Sequence, residues 1–356
     1  MTNYQHMQDQ VVQLLKKLIA IPSLSKEEHQ SADLLFEFIQ EKGLQPERNK
    51  NNVWIRSSDF VPERPTILLN SHHDTIKPNA QWSFDPFKAT EQEGKIYGLG
   101  ANDAGASLVA LLATFFILNE SPRNFNLIWA GTAEEEISGE HGIALILPEL
   151  GKIDVAIVGE PTQMQMAVAE KGLMVLDGLA KGKAGHAARD EGINAIYEVI
   201  SDLEWFQSYE FPRESELLGR VKMTVTQIQA GYQHNVVPDH CSFVVDVRSN
   251  ELYTNEQIFE IIQKSTRSEM KARSFRLNSS AISLEHPLVQ KGKSLGISTF
   301  GSPTLSDQAL MSFPTLKIGP GESMRSHTAD EYVHVSEIYE GIHVYCDLLK
   351  DLNLNT

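Results

Sequence analysis

The 356-residue chain predicts an α/β fold, a mostly parallel sheet with helices on both faces, carrying an inserted α+β domain. Short apolar runs at 66–69, 126–130 and 155–158 alternate with helical stretches, the rhythm of βαβ units. In the middle of the chain the order changes to strand-helix-strand-strand-helix-strand, the split-βαβ (ferredoxin-like) arrangement. The length suits two domains of ordinary size, and 41% apolar with 8% aromatic residues can fill both cores.

Taken in order, apolar positions at helical spacing in 11–20 and 32–40 predict two opening helices packed on the core. Strands follow at 66–69, 126–130 and 155–158, with a helix at 106–118 among them. The insertion is read as a strand at 173–180, a helix at 193–206, an antiparallel pair at 222–229 and 241–248, a helix at 256–266 and a strand at 275–283. From His286 onward, an apolar run at 315–318 and a helix from Val335 return to the first domain. The expected limits are therefore 1–172 with 285–356 for the larger domain and 173–284 for the insertion. No internal repeat, low-complexity tract or long linker interrupts this pattern.

Charge narrows the function. With 31 Lys+Arg against 47 Asp+Glu, the net charge of −16 argues against nucleic acid or an anionic membrane as the main partner. The first residues lack a basic and then apolar leader pattern, and no apolar run approaches the length of a membrane span. Cys241 and Cys346 are too few for a disulfide framework or a cysteine zinc ribbon, so a reducing cytoplasm is the expected location.

The chemistry is concentrated after the strands. Glu134, Glu135 and Glu136 follow directly on the 126–130 run. Two unit charges about 4 Å apart repel by about 4 kcal/mol at an effective dielectric near ~20, so water or a cation must offset them. Ligands of an open parallel sheet bind beyond the carboxyl ends of its strands. There the chain also places His72-His73-Asp74, Gly98-Leu99-Gly100-Ala101-Asn102-Asp103, Gly159-Glu160-Pro161-Thr162 and Ser326-His327-Thr328-Ala329-Asp330-Glu331. Each has a plainer explanation: a solvated loop for the glutamates, a turn cap for His72-x-Asp74, a helix N-cap for Asp103, loop polarity for Glu160 and a surface histidine for His327. Together those explanations need unrelated accidents along one sheet edge. Two histidines with several carboxylates instead suit a dinuclear site for a borderline ion such as Zn2+. A dinucleotide fingerprint fails at Asp103, a phosphate loop fails at Pro287, and neither a Gly-x-Ser-x-Gly elbow nor a His-Glu-x-x-His helix occurs.

These motifs, with Gly185-His186, Asn235-Val236-Val237-Pro238 and Asp246-Val247-Arg248, make the chain resemble, over nearly its whole length, the dizinc metallopeptidases and deacylases that include acetylornithine deacetylase and succinyl-diaminopimelate desuccinylase. The resemblance implies a zinc-peptidase-like catalytic domain in which Asp103 bridges two Zn2+ ions, for which Co2+ can substitute. It implies that His72 and Glu160 complete one site and Glu136 and His327 the other. Glu135 would be the general base, with Asp74 orienting His72 through its remote nitrogen. The inserted domain would mediate a homodimer, and His186 would reach the partner subunit's site to stabilise the oxyanion. The family often has serine after that histidine, whereas Ala187 and Ala188 follow here. Asn235 and Arg248 are candidate substrate contacts, Arg248 being suited to a carboxylate and equally to a surface ion pair. His73 is given no role beyond a structural one.

The expected substrate is a small N-acyl amino acid of arginine biosynthesis, N-acetylornithine first. N-acetyl- or N-succinyl-citrulline comes next, then succinyl-diaminopimelate or a dipeptide. A catalytically silent, metal-binding dimeric scaffold is the alternative of another class, against which the complete ligand set with Glu135 speaks.

Overall fold

The computed structural model describes residues 2–354. The expected limits at residues 1 and 356 lie outside the described residues. The chain forms two compact units: Met1–Val168 with Ala281–Phe300 and Ser306–Thr356, and Ala169–Ser280 with Gly301–Leu305.

In the first unit, parallel strands Asn126–Thr132, Thr66–His72, Val155–Val158 and Thr315–Lys317 lie side by side in that order. Asn52–Arg56 adds an antiparallel strand beside Asn126–Thr132. The Thr66–His72 and Asn126–Thr132 strands are buried along their whole length, as strands covered on both faces must be. Successive side chains take opposite faces. Leu68, Ile128, Ala156 and Val158 pack with Ile143, Ile146 and Leu150 of the helix Ile143–Leu150. On the other face Trp129 lies against the helix Ala106–Asn119, its indole N–H reaching the Leu108 carbonyl at 3.4 Å. That helix is apolar all round because it is covered by the sheet, by Thr2–Ile19 and by the closing helix Val335–Leu349.

This covering also corrects one expectation. Ala101–Asn119 makes a run of 19 residues long and apolar enough to cross a membrane, but the 18-residue window that meets this test is 89% buried inside the protein, so among the described residues it belongs to the core.

The second unit has the split-βαβ topology, with strands in the order Lys222–Ala230, His240–Arg248, Met174–Lys181, Glu269–Ala272, all antiparallel. The helices Ala195–Ser208 and Asn255–Ser265 bury Val199, Phe206, Ile258 and Ile262 against Leu176, Phe243 and Val245. Phe243 lies over Gly178, where an added Cβ would stand 2.2 Å from the ring. The last strand is not the expected 275–283 stretch. Met270 and Ala272 turn toward the core in alternation, while Phe275, Leu277 and Asn278 are drawn into a loop by hydrogen bonds with Asn255.

Because Trp129 joins sheet to central helix, Trp129→Ala should lower the unfolding free energy of the first unit by about 3–5 kcal/mol. Urea titration would show it, and a change under about 1 kcal/mol would mean the helix does not depend on that contact.

Candidate metal centre

Strand register decides which side chains meet. His72 closes its strand directly beside Thr132, so the residues after both strands emerge together at the carboxyl edge. The His72 side chain is 1% exposed, and its Nε2 stands 3.3 Å from Asp103 Oδ1 and 3.8 Å from both Glu135 Oε2 and Glu160 Oε1. Its Nδ1 donates to the Asp74 backbone carbonyl at 3.0 Å, with Asp74 Oδ1 at 3.4 Å. The hydrogen bond that sets the His72 ring is therefore to the Asp74 main chain more than to its carboxylate.

That carboxylate has further work. Asp74 accepts from Ser25 Oγ at 2.7 Å and from the backbone N–H groups of Glu135 at 3.0 Å and Glu136 at 3.2 Å. The His72 contacts and these donors hold its pKa below the usual carboxylate range in spite of burial. One buried aspartate thus ties the first histidine to the loop bearing the adjacent glutamates.

Asp103 is not the N-cap of the following helix. It lies in an irregular turn with φ −116° and ψ 96°, and Gly105 occupies the cap position of Ala106–Asn119. An added Cβ at Gly105 would come within 2.4 Å of the Gly100 carbonyl, so the turn needs glycine there. The turn aims the two Asp103 oxygens apart, Oδ1 toward His72 and Oδ2 to 3.6 Å from His327 Nε2.

The three glutamates diverge. Glu134 is buried with a left-handed φ of 55°, and its carboxylate folds back to accept from His141 N–H at 3.2 Å. Glu136 Oε2 meets His327 Nε2 at 3.0 Å. Glu135 faces His72 and is not part of either three-residue donor group. Burial holds the Glu135 carboxyl well above the ordinary range, Glu160, Asp307 and Glu136 adding to it against the pull of His72. Burial likewise pushes Glu160 up to about 8, with Asp103 contributing. His327 is pushed up to about 9, chiefly by its hydrogen bond to Glu136, burial opposing.

His73 points away, bonded to Ser31 Oγ and the Asn51 carbonyl, both at 2.8 Å, and burial lowers it to about 4. In the second unit, Gly185–His186 pairs antiparallel with Val236–Val237, and the Ala187 N–H donates to the Asn235 carbonyl at 3.0 Å, bringing His186 and Asn235 together. His186 Nδ1 accepts from Ala188 N–H at 3.1 Å, leaving the ring proton on Nε2. Arg248 grips Asp246 with two contacts of 2.8 and 3.0 Å, the surface ion pair of the two readings.

Sequence reasoning passed over two buried carboxylates, Glu28 and Asp307, and named a third, Glu331, without giving it a role. Glu28 accepts from Glu134 N–H at 3.1 Å and Asn51 Nδ2 at 2.8 Å. Asp307 accepts from Thr132 Oγ1 at 2.8 Å and is raised to about 6 by burial. Glu331 receives backbone N–H groups from the Asp103 turn. Only Glu331 had a local signal, its place four residues after His327.

The donors fit a pair of divalent cations. His72, Asp103 and Glu160 offer ligand atoms within 4.8 Å of one another, and so do Asp103, Glu136 and His327, with Asp103 common to both groups. Imidazole with carboxylates suits zinc and its neighbours. The carboxyls of Glu135 and Glu160 are raised first by burial and then by neighbouring carboxylates, against the pull of His72, so a bound cation would favour their ionised forms.

Residues 68–351 match the model of the peptidase family M20/M25/M40. Acetylornithine deacetylase of Buchnera aphidicola is 28% identical over 291 residues, covering 75% of each chain. Succinyl-diaminopimelate desuccinylase of Orientia tsutsugamushi is 26% identical over 277 residues, 72% of this chain and 71% of that one. Among solved structures, the Bacillus subtilis YXEP protein, a dinuclear metal-binding peptidase of the M20 family, superposes with a TM-score of 0.76 at 16% identity, covering 97% of this chain and 98% of that one. Aminopeptidase PepT of Bacillus cereus gives 0.76 at 17% identity over 96% and 98%. These two likenesses carry the fold, and the family match carries the rest. The chain belongs to the peptidase family M20/M25/M40, metal-dependent hydrolases of amide bonds.

Proposed function

We propose that this chain removes the N-acyl group of an amino acid of arginine biosynthesis, N-acetylornithine first and N-acetyl- or N-succinyl-citrulline next, using two Zn2+ ions that Co2+ can replace. The observation that carries the reading is Asp103 standing between two donor groups while Glu135 belongs to neither. The named relatives include an acetylornithine deacetylase and a desuccinylase, which supports an acylated amino acid over a long peptide.

In this reading His72, Asp103 and Glu160 hold one ion, and Asp103, Glu136 and His327 the other. When bound, the ions supply Lewis acidity that lowers the pKa of water and polarises the amide carbonyl. Glu135 takes the proton of the attacking water at a carboxylate oxygen and delivers it to the nitrogen of the leaving amino acid as the C–N bond breaks. The adjacent Glu136 stays fixed by His327, so the two glutamates divide ligation from proton transfer. His186, protonated at Nε2, supplies a donor for the oxyanion from the partner subunit, and Asn235 beside it contacts substrate. Arg248 would bind a substrate carboxylate by exchanging it for Asp246.

A homodimer through the second unit has support in that unit's surface. Ile193, Ile196, Tyr197 and Ile200, at and along the helix Ala195–Ser208, and Ile228 on the edge strand Lys222–Ala230 are exposed, with Tyr197 71% open to solvent. The location in this reading is cytoplasmic.

The substrate is tested by loading the purified protein with Zn2+ and measuring free amine from a panel of N-acyl ornithines, citrullines and diaminopimelates. Release from N-acetylornithine is expected, and no turnover on any member with two ions bound would sink the reading. Glu135→Gln should retain two ions while kcat falls by at least about a hundredfold, a general base being worth ~10² to 10⁴. Loss of an ion in Glu135→Gln would exchange the roles of Glu135 and Glu136.

Metal binding should also release protons. Glu160 at about 8 and His327 at about 9 both stand above their unfolded values, so their protonation stabilises the metal-free fold at low pH, and that contribution disappears as pH rises through 8 and 9. The metal-free Tm should therefore fall from pH 6 to pH 9, and the rise in Tm on adding Zn2+ should be larger at pH 9. Over this range the affinity should climb by about tenfold per pH unit for each proton displaced, measured by calorimetry. A flat profile would contradict the electrostatic account of the site.

A further inference from the structure

The geometry points to Glu331 as the positioning residue for Asp103, acting through the main chain of the turn and not through the reaction. This inference rests on the dinuclear reading above. The Asp103 turn is not helical, so its backbone N–H groups lack the ladder partners a regular helix would give them. Glu331, 2% exposed, replaces that ladder. Its Oε1 accepts from Asn102 N–H at 2.8 Å and Asp103 N–H at 2.9 Å, and its Oε2 accepts from Gly100 N–H at 3.3 Å. The Glu331 carbonyl accepts from Gly98 N–H at 3.0 Å.

The clasp runs in both directions. Asn102 Oδ1 accepts from Glu322 N–H at 2.9 Å, and Asn102 Nδ2 donates to the Glu322 carbonyl at 3.1 Å. The segment 322–331 that holds the turn also carries His327, in a left-handed conformation with φ 61°. Glu331 therefore couples the two segments that supply Asp103 and His327, so that the separation between the oxygens of one and the imidazole of the other is set by main-chain hydrogen bonds. A free turn would let the Asp103 carboxylate rotate away from one donor group, and both groups need it. Groups that orient a metal ligand from behind through its side chain are worth ~10 to 100-fold in metal affinity, and a loss at the low end of that range is expected for one acting through the main chain.

The test compares Glu331→Asp and Glu331→Gln with the parent protein, all stripped of metal and titrated with Zn2+ against a chromophoric chelator, with the Co2+ absorption spectrum and metal-free Tm recorded alongside. Aspartate keeps the charge and loses the reach, while glutamine can keep both shorter contacts through its carbonyl oxygen. Glu331→Asp should bind about tenfold or more weakly and alter the Co2+ spectrum, and Glu331→Gln should recover affinity to within about threefold of the parent. Parental affinity and spectrum in Glu331→Asp, even with a lowered metal-free Tm, would overturn the positioning role and leave a purely structural one. Equal losses in both variants would overturn it as well, by showing that charge alone acts. A parent that binds fewer than two ions would instead refute the dinuclear reading on which the inference stands.

Discussion

The crowding of buried carboxylates is the constraint on which this site depends. The Asp103, Glu135, Glu136 and Glu160 side chains lie 7–14% exposed around His72, and the pKa shifts of Glu135 and Glu160 run upward, chiefly through burial, with neighbouring carboxylates adding to it. A folded protein tolerates such an arrangement by protonating the acids or by binding cations. The second solution suits two histidines whose ring nitrogens face the one Asp103 carboxylate from opposite ends.

The carboxylates outside the two donor groups show how the protein holds the others in place. Glu28 accepts the Glu134 N–H, and Asp74 those of Glu135 and Glu136. Each spends its charge on backbone donors, a stronger contact than one between neutral groups. Glu134, which begins as one of three identical residues, becomes a loop-forming residue because its left-handed φ turns its side chain back toward the His141 N–H.

Much of this was legible in the sequence. Parallel strands read as apolar runs because both of their faces are covered, and ligand positions read as polar breaks at the ends of those runs. The strand at 275–283 failed for a related reason. Its apolar residues serve a loop closed by Asn255, whereas the real strand, Glu269–Ala272, carries Glu269 and Lys271 on its outer side and offers little apolar pattern at an edge. Glu28 was invisible because a glutamate in a charged stretch, Lys26-Glu27-Glu28, has the local appearance of a surface residue.

By itself the sequence determined the alternation of strands and helices, the split-βαβ order of the insertion and the residue types that converge on one sheet edge, since these follow from period and position along the chain. Tertiary structure alone decided which of the chemically equal carboxylates points where. Register placed His72 beside Thr132, and a nonhelical turn split the two Asp103 oxygens between histidines more than 250 residues apart. Orientation depends on main-chain hydrogen bonds between segments distant in sequence, and no local pattern of residues encodes those.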